Sequence, residues 1–344
     1  MVMAICTELK LQKYYLSDET IETIYFGGGT PSLLSEQQLN QILDVVAKDY
    51  PLSSEAEITL EANPEDITPK CLNGLKNAGV NRLSFGIQTF NDRILSSLNR
   101  SHKAKQARQA IKNAQKAGFH NITIDLMYGL PEDNLRRWKR DLNEVSDFNI
   151  PHISAYCLTV ENQTVFGQRI RKNLLKLPDE SFIISQYEMM CKHLDSTHYQ
   201  HYEVSNFCQP DQYAKHNSNY WKFQPYLGIG PSAHSFNLRS RQHNFASNSK
   251  YIQALERSEI PCSVETLSQT DLANDYLLTS IRTMWGCDLK FIKTQFGISL
   301  KSTRENIFEN FKLNGLIYEK NQVIYLTEKG MLLADKITED ILIT

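Results

Sequence analysis

The sequence predicts an α/β chain in which short buried strands alternate with amphipathic helices, followed by a smaller module of three helices and a hairpin. Three observations carry this. Apolar, β-rich runs recur at intervals of roughly 25–40 residues through the first two-thirds of the 344-residue chain. The junctions "NAGVNRLSFGIQ" and "KAGFHNITIDLMYG" both end a helix on Ala-Gly and enter an apolar strand, so a βα unit repeats. From about Glu265 onward the strands give way to helical periodicity and a single hairpin pattern.

The elements follow in order. "MVMAICTELKLQKYYL" reads as an amphipathic opening helix. The strand "TIYF" runs into Gly27-Gly28-Gly29, then Thr30-Pro31. The next helix opens at Ser35, with Gln38 placed for a capping box and Leu39, Ile42, Leu43 and Val46 on one face. "EITLEAN" is the second strand, and Thr68-Pro69 is a good cap and first-turn pair for the helix after it. "RLSFGIQ" is followed by a short helix and then by a longer one with Ala104, Ala107, Ile111 and Ala114 aligned. "NITIDLMYG", a helix around 134–148 and "HISAYCL" complete five strand–helix units. They predict a parallel sheet or part of a (β/α) barrel. A dinucleotide-binding fold is the alternative, weakened because "GGGTP" lacks the G-x-G-x-x-G spacing.

Composition excludes several classes. The formal net charge is −2, with 41% hydrophobic and 22% charged residues, so no basic field invites nucleic acid as a bulk partner. No apolar run approaches the roughly 20 residues of a membrane-spanning helix, and the N-terminal stretch has no signal-peptide pattern. A cytoplasmic location is the expectation. The seven cysteines, at 6, 71, 157, 191, 208, 262 and 287, form no C-x-x-C pair.

In parallel α/β folds ligands sit at the carboxyl ends of the strands. Gly28, Gly29 and Thr30 end the first strand, Glu61 the second and Gln88 the third. Asp125 sits late in the fourth, and Arg100 comes from the segment after the third. Bare backbone, two carboxylates, an amide and a guanidinium on one rim suit a zwitterionic ligand. Taken singly each has a structural reading: Glu61 as a cap, Asp125 as a bond to a neighbouring strand, the glycines as a turn.

With those residues named, the chain resembles the radical S-adenosylmethionine (SAM) superfamily, in its coproporphyrinogen-oxidase-like branch. "YFGGGTPSLL", "LEANPE", "RLSFGIQTF", "LNRSH" and "IDLMYGLP" follow in that branch's order. The resemblance implies a partial (β/α)6 barrel at residues 1–200 that lacks its first strand. It implies a branch-specific segment at 201–264 and a winged-helix-like α+β domain at 265–344. Gly28, Gly29 and Thr30 would line the methionine moiety of SAM, and Glu61, Gln88, Arg100 and Asp125 the rest. "YEVSNF", "HNSNYW" and "YLGIGPSAHSF" are similar to the haem-chaperone members of the branch. His216, Asn217, Tyr220 and Trp221 of the H-N-x-x-Y-W signature are then the haem-site candidates, a neutral imidazole suiting iron and the aromatics a porphyrin face. His201, His234 and Cys208 compete as ligands. As a structural alternative, His216 and Asn217 could satisfy buried backbone groups.

The superfamily holds a [4Fe–4S] cluster on a C-x-x-x-C-x-x-C loop that precedes the glycine motif, and these 344 residues contain no such spacing. A start placed too late is the expectation, with a truncated product that kept only binding as the alternative. As written, the chain is expected to carry out no radical chemistry.

The leading expectation is a haem chaperone that passes haem to acceptor haemoproteins, dependent in full form on SAM and the cluster. The alternative is an oxygen-independent coproporphyrinogen III oxidase. Peripheral membrane association and a homodimer are further expectations. The C-terminal module's helices suggest DNA binding in isolation. Residues 265–344 carry nine Lys and Arg against eleven Asp and Glu, however, which opposes it.

Overall fold

A computed structural model describes residues 1–344 except 18, 162, 173, 174 and 344. The chain forms two compact units, one of residues 24–36 and 57–214 and one of residues 1–23, 37–56 and 215–344.

A seven-stranded sheet contains β1 (Ile21–Phe26), β2 (Leu52–Ala62), β3 (Arg82–Gln88), β4 (Asn121–Tyr128), β5 (His152–Cys157), β6 (Gln200–Glu203) and β7 (Asn206–Cys208). Its order is β1-β2-β3-β4-β5-β7-β6, so the first five strands lie side by side in chain order. The β2–β3, β3–β4 and β4–β5 pairs are parallel, as the repeating βα units predict. The far edge is different. β5 pairs antiparallel with β7, which forms a hairpin with β6 that the sequence pattern does not predict. The sheet curls into a half-barrel, as expected for part of a (β/α) barrel.

The unit of residues 24–36 and 57–214 is built around β3, whose Leu83, Phe85 and Ile87 are fully buried beside Leu60, Ile122, Ile124 and Ile153. Burial on both faces explains why these strands read as near-continuous apolar runs. The alanine stripe of helix Ala104–Lys116 is buried along its length, which lets the helix approach closely. Thr68 caps helix Pro69–Asn77 by accepting from the Cys71 amide at 3.1 Å.

The repeat is more regular in space than in sequence. Gly79 and Gly118 are left-handed, and the next residue's amide returns to the helix: Val80 to the Leu75 carbonyl and Phe119 to that of Ala114, both at 3.0 Å. Asn149 and His198 adopt the same conformation after helices Leu135–Asp147 and Glu180–Ser196. The sequence signal was visible only where glycine filled the position.

The other unit opens with helix Val2–Leu11, whose buried residues are Cys6, Glu8 and Leu9. Its helix Glu36–Asp49 buries Leu39, Ile42, Leu43 and Val46, as the spacing predicts. Helix Lys215–Trp221 precedes an antiparallel sheet of β8 (His234–Phe236), β9 (Ser240–Asn244) and β10 (Cys262–Thr266). The C-terminal part contains helices Gln269–Ser280, Leu289–Phe296 and Glu305–Leu313. The hairpin of β12 (Ile317–Lys320) and β13 (Val323–Leu326) follows, with β11 (Cys287–Asp288) paired to β13. This is the expected helix–helix–helix–hairpin order, with the one-turn helix Leu300–Thr303 inserted before the third helix and two further helices, Glu328–Met331 and Ala334–Ile341, after the hairpin. The hairpin turns on Asn321 and Gln322, both at positive φ.

Candidate functional site

The three glycines ending β1 serve two different needs. A Cβ on Gly27 would lie 2.6 Å from the Tyr25 ring and 3.0 Å from Glu61 Oε1, so close packing requires glycine there. Gly28 and Gly29 have φ of +70° and +76° and open space where a Cβ would stand. They present bare, left-handed backbone. Thr30 then leads into the one-turn helix Pro31–Leu33.

Glu61, late in β2, is fixed from two sides. The Tyr25 hydroxyl donates to its Oε1 at 2.7 Å and the Gly28 amide to its Oε2 at 3.2 Å. The parallel register sets Glu61 opposite Ser84, and Asp125 opposite Ser154. The Ser84 hydroxyl lies 3.5 Å from Asp125 Oδ1. Asp125 is pushed up to about 7, first by burial and then by the charge of Glu61; the Ser154 and Ser84 hydroxyls and Arg100 oppose the shift. Tyr156, on β5, is raised to about 12 by burial and by Asp125.

Gln88 is buried and sits at φ +66°, a left-handed residue closing β3. Gly86 leaves room for its side chain, whose Nε2 lies 3.2 Å from the place a Cβ would take. Arg100 follows helix Asp92–Ser97, is exposed, and reaches Asp125 electrostatically. Gly28, Glu61, Asp125 and Arg100 are thus linked by bonds or charge, while Gly29, Thr30 and Gln88 belong to adjoining strand ends. Tyr25, Ser84, Ser154 and Tyr156 were missed in the sequence. The two serines had a signal, a polar residue inside an otherwise apolar buried strand.

The second set lies in the other unit. The H-N-x-x-Y-W segment is the helix Lys215–Trp221, so His216 and Tyr220 share a face one turn apart. His216 Nδ1 is 2.8 Å from Thr23 Oγ1, and its Nε2 is 3.2 Å from the Tyr220 hydroxyl. Burial lowers its pKa to about 4, which keeps the imidazole neutral near pH 7. Tyr220 is 39% exposed and meets Tyr226 edge-on, with centroids 4.6 Å apart. Asn217 is half-buried on the same helix. Trp221 Nε1 is shielded from solvent and has no hydrogen-bond partner among the described residues.

The competing ligands separate by environment. His201 stacks on Phe207 at 4.1 Å, bonds the Val204 carbonyl at 3.3 Å and is lowered to about 4 by burial. Cys208 is fully buried and pushed up to about 12, an inert thiol. Both belong to the sheet's core. His234 is exposed and lies across from His243, with ring centroids 4.5 Å apart.

Residues 8–145 match the Radical SAM superfamily. The chain is 35% identical over 325 residues to the heme chaperone HemW of Lactococcus lactis, covering 94% of this chain and 86% of that protein. It is 33% identical to the Bacillus subtilis heme chaperone HemW, over 92% of this chain and 84% of the relative. The chain belongs to the HemW family of radical SAM proteins. The fold agrees. Coproporphyrinogen III oxidase (HemN) from Escherichia coli superposes with a TM-score of 0.84 over 99% of this chain and 82% of that one, at 21% identity. That likeness is one of fold.

HemW membership brings three groups to test against the residues. The rim of Gly28, Gly29, Glu61, Asp125 and Arg100 fits SAM: open left-handed backbone, paired carboxylates for a cationic ligand and a guanidinium for a carboxylate. Trp221 Nε1, a buried donor without an acceptor, fits a carboxylate-bearing ligand such as haem. A [4Fe–4S] cluster is not fitted by the described residues of this chain, among which no three His, Cys, Asp or Glu side chains gather as a metal site.

Proposed function

We propose that this HemW-family chain binds haem through the face of helix Lys215–Trp221 and passes it to acceptor haemoproteins, while the rim at the ends of β1–β4 holds SAM. Similarity to HemW over 86% of that protein's length carries the reading. In support, His216 and Tyr220 share one helical face, a neutral imidazole beside an exposed tyrosine, and the next residue, Trp221, carries an unsatisfied indole donor. Both His216 nitrogens already have partners, so ligation of iron requires the Tyr220 contact or the Thr23 contact to open. The same reading expects a cytoplasmic protein, with membrane association and a homodimer as separate proposals for fractionation and sedimentation.

The test is a haemin titration followed by transfer. Saturable growth of a Soret band, then reconstitution of apomyoglobin from the haem-loaded protein faster than haem dissociates into a passive scavenger, is expected. No saturable binding, or transfer no faster than passive release, would reject the chaperone role. The second reading, coproporphyrinogen oxidation, is favoured by the HemN-like fold alone. Anaerobic decarboxylation of coproporphyrinogen by the protein with SAM and a reductant would establish it.

A further inference from the structure

His102, the last residue of the "LNRSH" motif, is 1% exposed and reaches two other parts of the rim. Its Nε2 is 3.2 Å from the Ile87 carbonyl. A carbonyl only accepts, so that nitrogen carries hydrogen. Its Nδ1 lies 3.4 Å from Glu65 Oε2, in the one-turn helix Pro64–Asp66 that follows β2. The other carboxylate oxygen, Oε1, accepts from the Ser101 hydroxyl at 2.6 Å.

Nδ1 and Oε2 are both shielded from solvent and have no other hydrogen-bond partner among the described residues. With neutral imidazole and ionised carboxylate, two lone pairs would face each other in a dry setting. A proton on Nδ1 removes the conflict, turning it into a donor to Oε2. Burial pushes the His102 imidazole down overall; the Ile87 carbonyl, Glu65 and Asp92 favour the imidazolium against it, and Arg100 adds to the lowering.

The backbone held this way is the backbone that presents the rim. The Ile87 carbonyl also accepts from the Thr89 amide at 2.8 Å across Gln88, whose left-handed conformation is costly for a side chain with a Cβ. His102 supplies that carbonyl's second bond. Arg100 lies two residues before His102, after the left-handed Asn99, and its amide is tied to the Leu95 carbonyl at 2.9 Å.

We propose that His102 and Glu65 are positioning residues for SAM: the protonated pair clamps the turn after β2, the bend at Gln88 and the Arg100 segment into one rigid rim. The proposal rests on the SAM reading of that rim. Neither residue needs to touch SAM.

The test measures SAM affinity by equilibrium dialysis on the full chain, with haemin binding and thermal midpoint as controls. His102→Ala is expected to weaken SAM binding about tenfold or more while haemin binding is unchanged. His102→Gln keeps a donor for the Ile87 carbonyl and is expected to restore most of that affinity. Burial holds the His102 imidazole below the ordinary histidine range, so wild-type affinity is expected to fall as pH rises through that lowered range, and Glu65→Gln, whose amide donates to Nδ1 at any pH, to lack that fall. If His102→Ala fails to fold, the His102→Gln and Glu65→Gln pH profiles decide. Profiles identical to wild type would overturn the clamp. SAM affinity lowered by Arg100→Ala but untouched in folded His102→Ala would overturn the clamp and leave the rim standing. Affinity untouched by Arg100→Ala and Asp125→Ala would overturn the rim reading itself.

Discussion

The Tyr25 hydroxyl donates to Glu61 Oε1 at 2.7 Å, joining the last turn of β1 to the carboxylate that ends β2. The same carboxylate takes the Gly28 amide, so one side chain orients both the glycine loop and a charge of the rim. The phenol pKa is raised by burial and then by Glu61, which keeps the hydroxyl a donor. Tyr25→Phe is expected to leave the fold intact and weaken SAM binding by about 1 kcal/mol, the worth of one such bond. Gly27→Ala is expected to do more damage, because its Cβ would meet both members of the pair. Calorimetric SAM titration of the two variants checks the order; equal affinity in Gly27→Ala and wild type would contradict it.

Asp125 leads to a proton-linked prediction. Its pKa is raised to about 7, above the ordinary carboxylate value, so the folded apo protein binds a proton that the unfolded chain has released. Stability from this group is present at low pH and is lost as pH rises from the ordinary carboxylate range through about 7. Asp125→Asn is therefore expected to raise the apo thermal midpoint at pH 8, by an amount worth about 1–2 kcal/mol for this half-buried group. A cationic ligand beside Asp125 lowers its pKa, so SAM binding near pH 7 is expected to release a proton. Titrations in two buffers of different ionisation enthalpy measure that release directly. No buffer dependence would place the ligand's positive charge elsewhere.

The sequence made the parallel half-barrel readable because strands buried on both faces leave continuous apolar runs and Gly79 and Gly118 mark two helix ends. Asn149 and His198 do the same work without a recognisable letter, and the β6–β7 hairpin is only four and three residues long, too short for periodicity. In the site, residue types at strand ends were legible, whereas their partners were set by register. Ser84 and Ser154 matter because β3 and β5 bring them to β4, and Tyr25 because β1 ends beside β2. The helical form of H-N-x-x-Y-W gives His216 its i+4 contact with Tyr220. Its bond to Thr23 spans 193 residues of chain and could not be read from spacing.

His216 is neutral at any pH well above about 4, so its protonation is not expected to change haemin binding between pH 6 and 8. His216→Ala is expected to shift the Soret band and weaken binding, with the fold destabilised by about 1–2 kcal/mol through loss of the Thr23 and Tyr220 bonds. Thr23→Val removes the 2.8 Å Nδ1 contact without removing the imidazole, and is expected to bind haemin at least as tightly as wild type. An unchanged spectrum in His216→Ala with a changed one in His234→Ala would move the iron to the exposed histidine of β8.

Glu8 sets the stability of the opening helix. Its Oε2 accepts from the Gly230 amide at 2.9 Å and from the Tyr251 hydroxyl, and its Oε1 accepts from Asn244 Nδ2 at 2.6 Å. Burial raises its pKa and outweighs these donors, so stability from Glu8 is likewise greatest at low pH and declines as pH rises through the folded-state value. Removing the charge does not help in proportion, because every neighbour donates. In Glu8→Gln the new amide faces either Asn244 Nδ2 or the Gly230 amide, and neither can accept. Asn244 cannot flip without losing its bond to the Gly230 carbonyl at 2.9 Å. Glu8→Gln is therefore expected to destabilise by about 2 kcal/mol at pH 7, and Tyr251→Phe by about 1 kcal/mol. The double variant is expected to fall short of their sum, since the pair shares one oxygen. Thermal midpoints of the three variants measure this, and strict additivity would mean that Tyr251 is held by contacts other than Glu8.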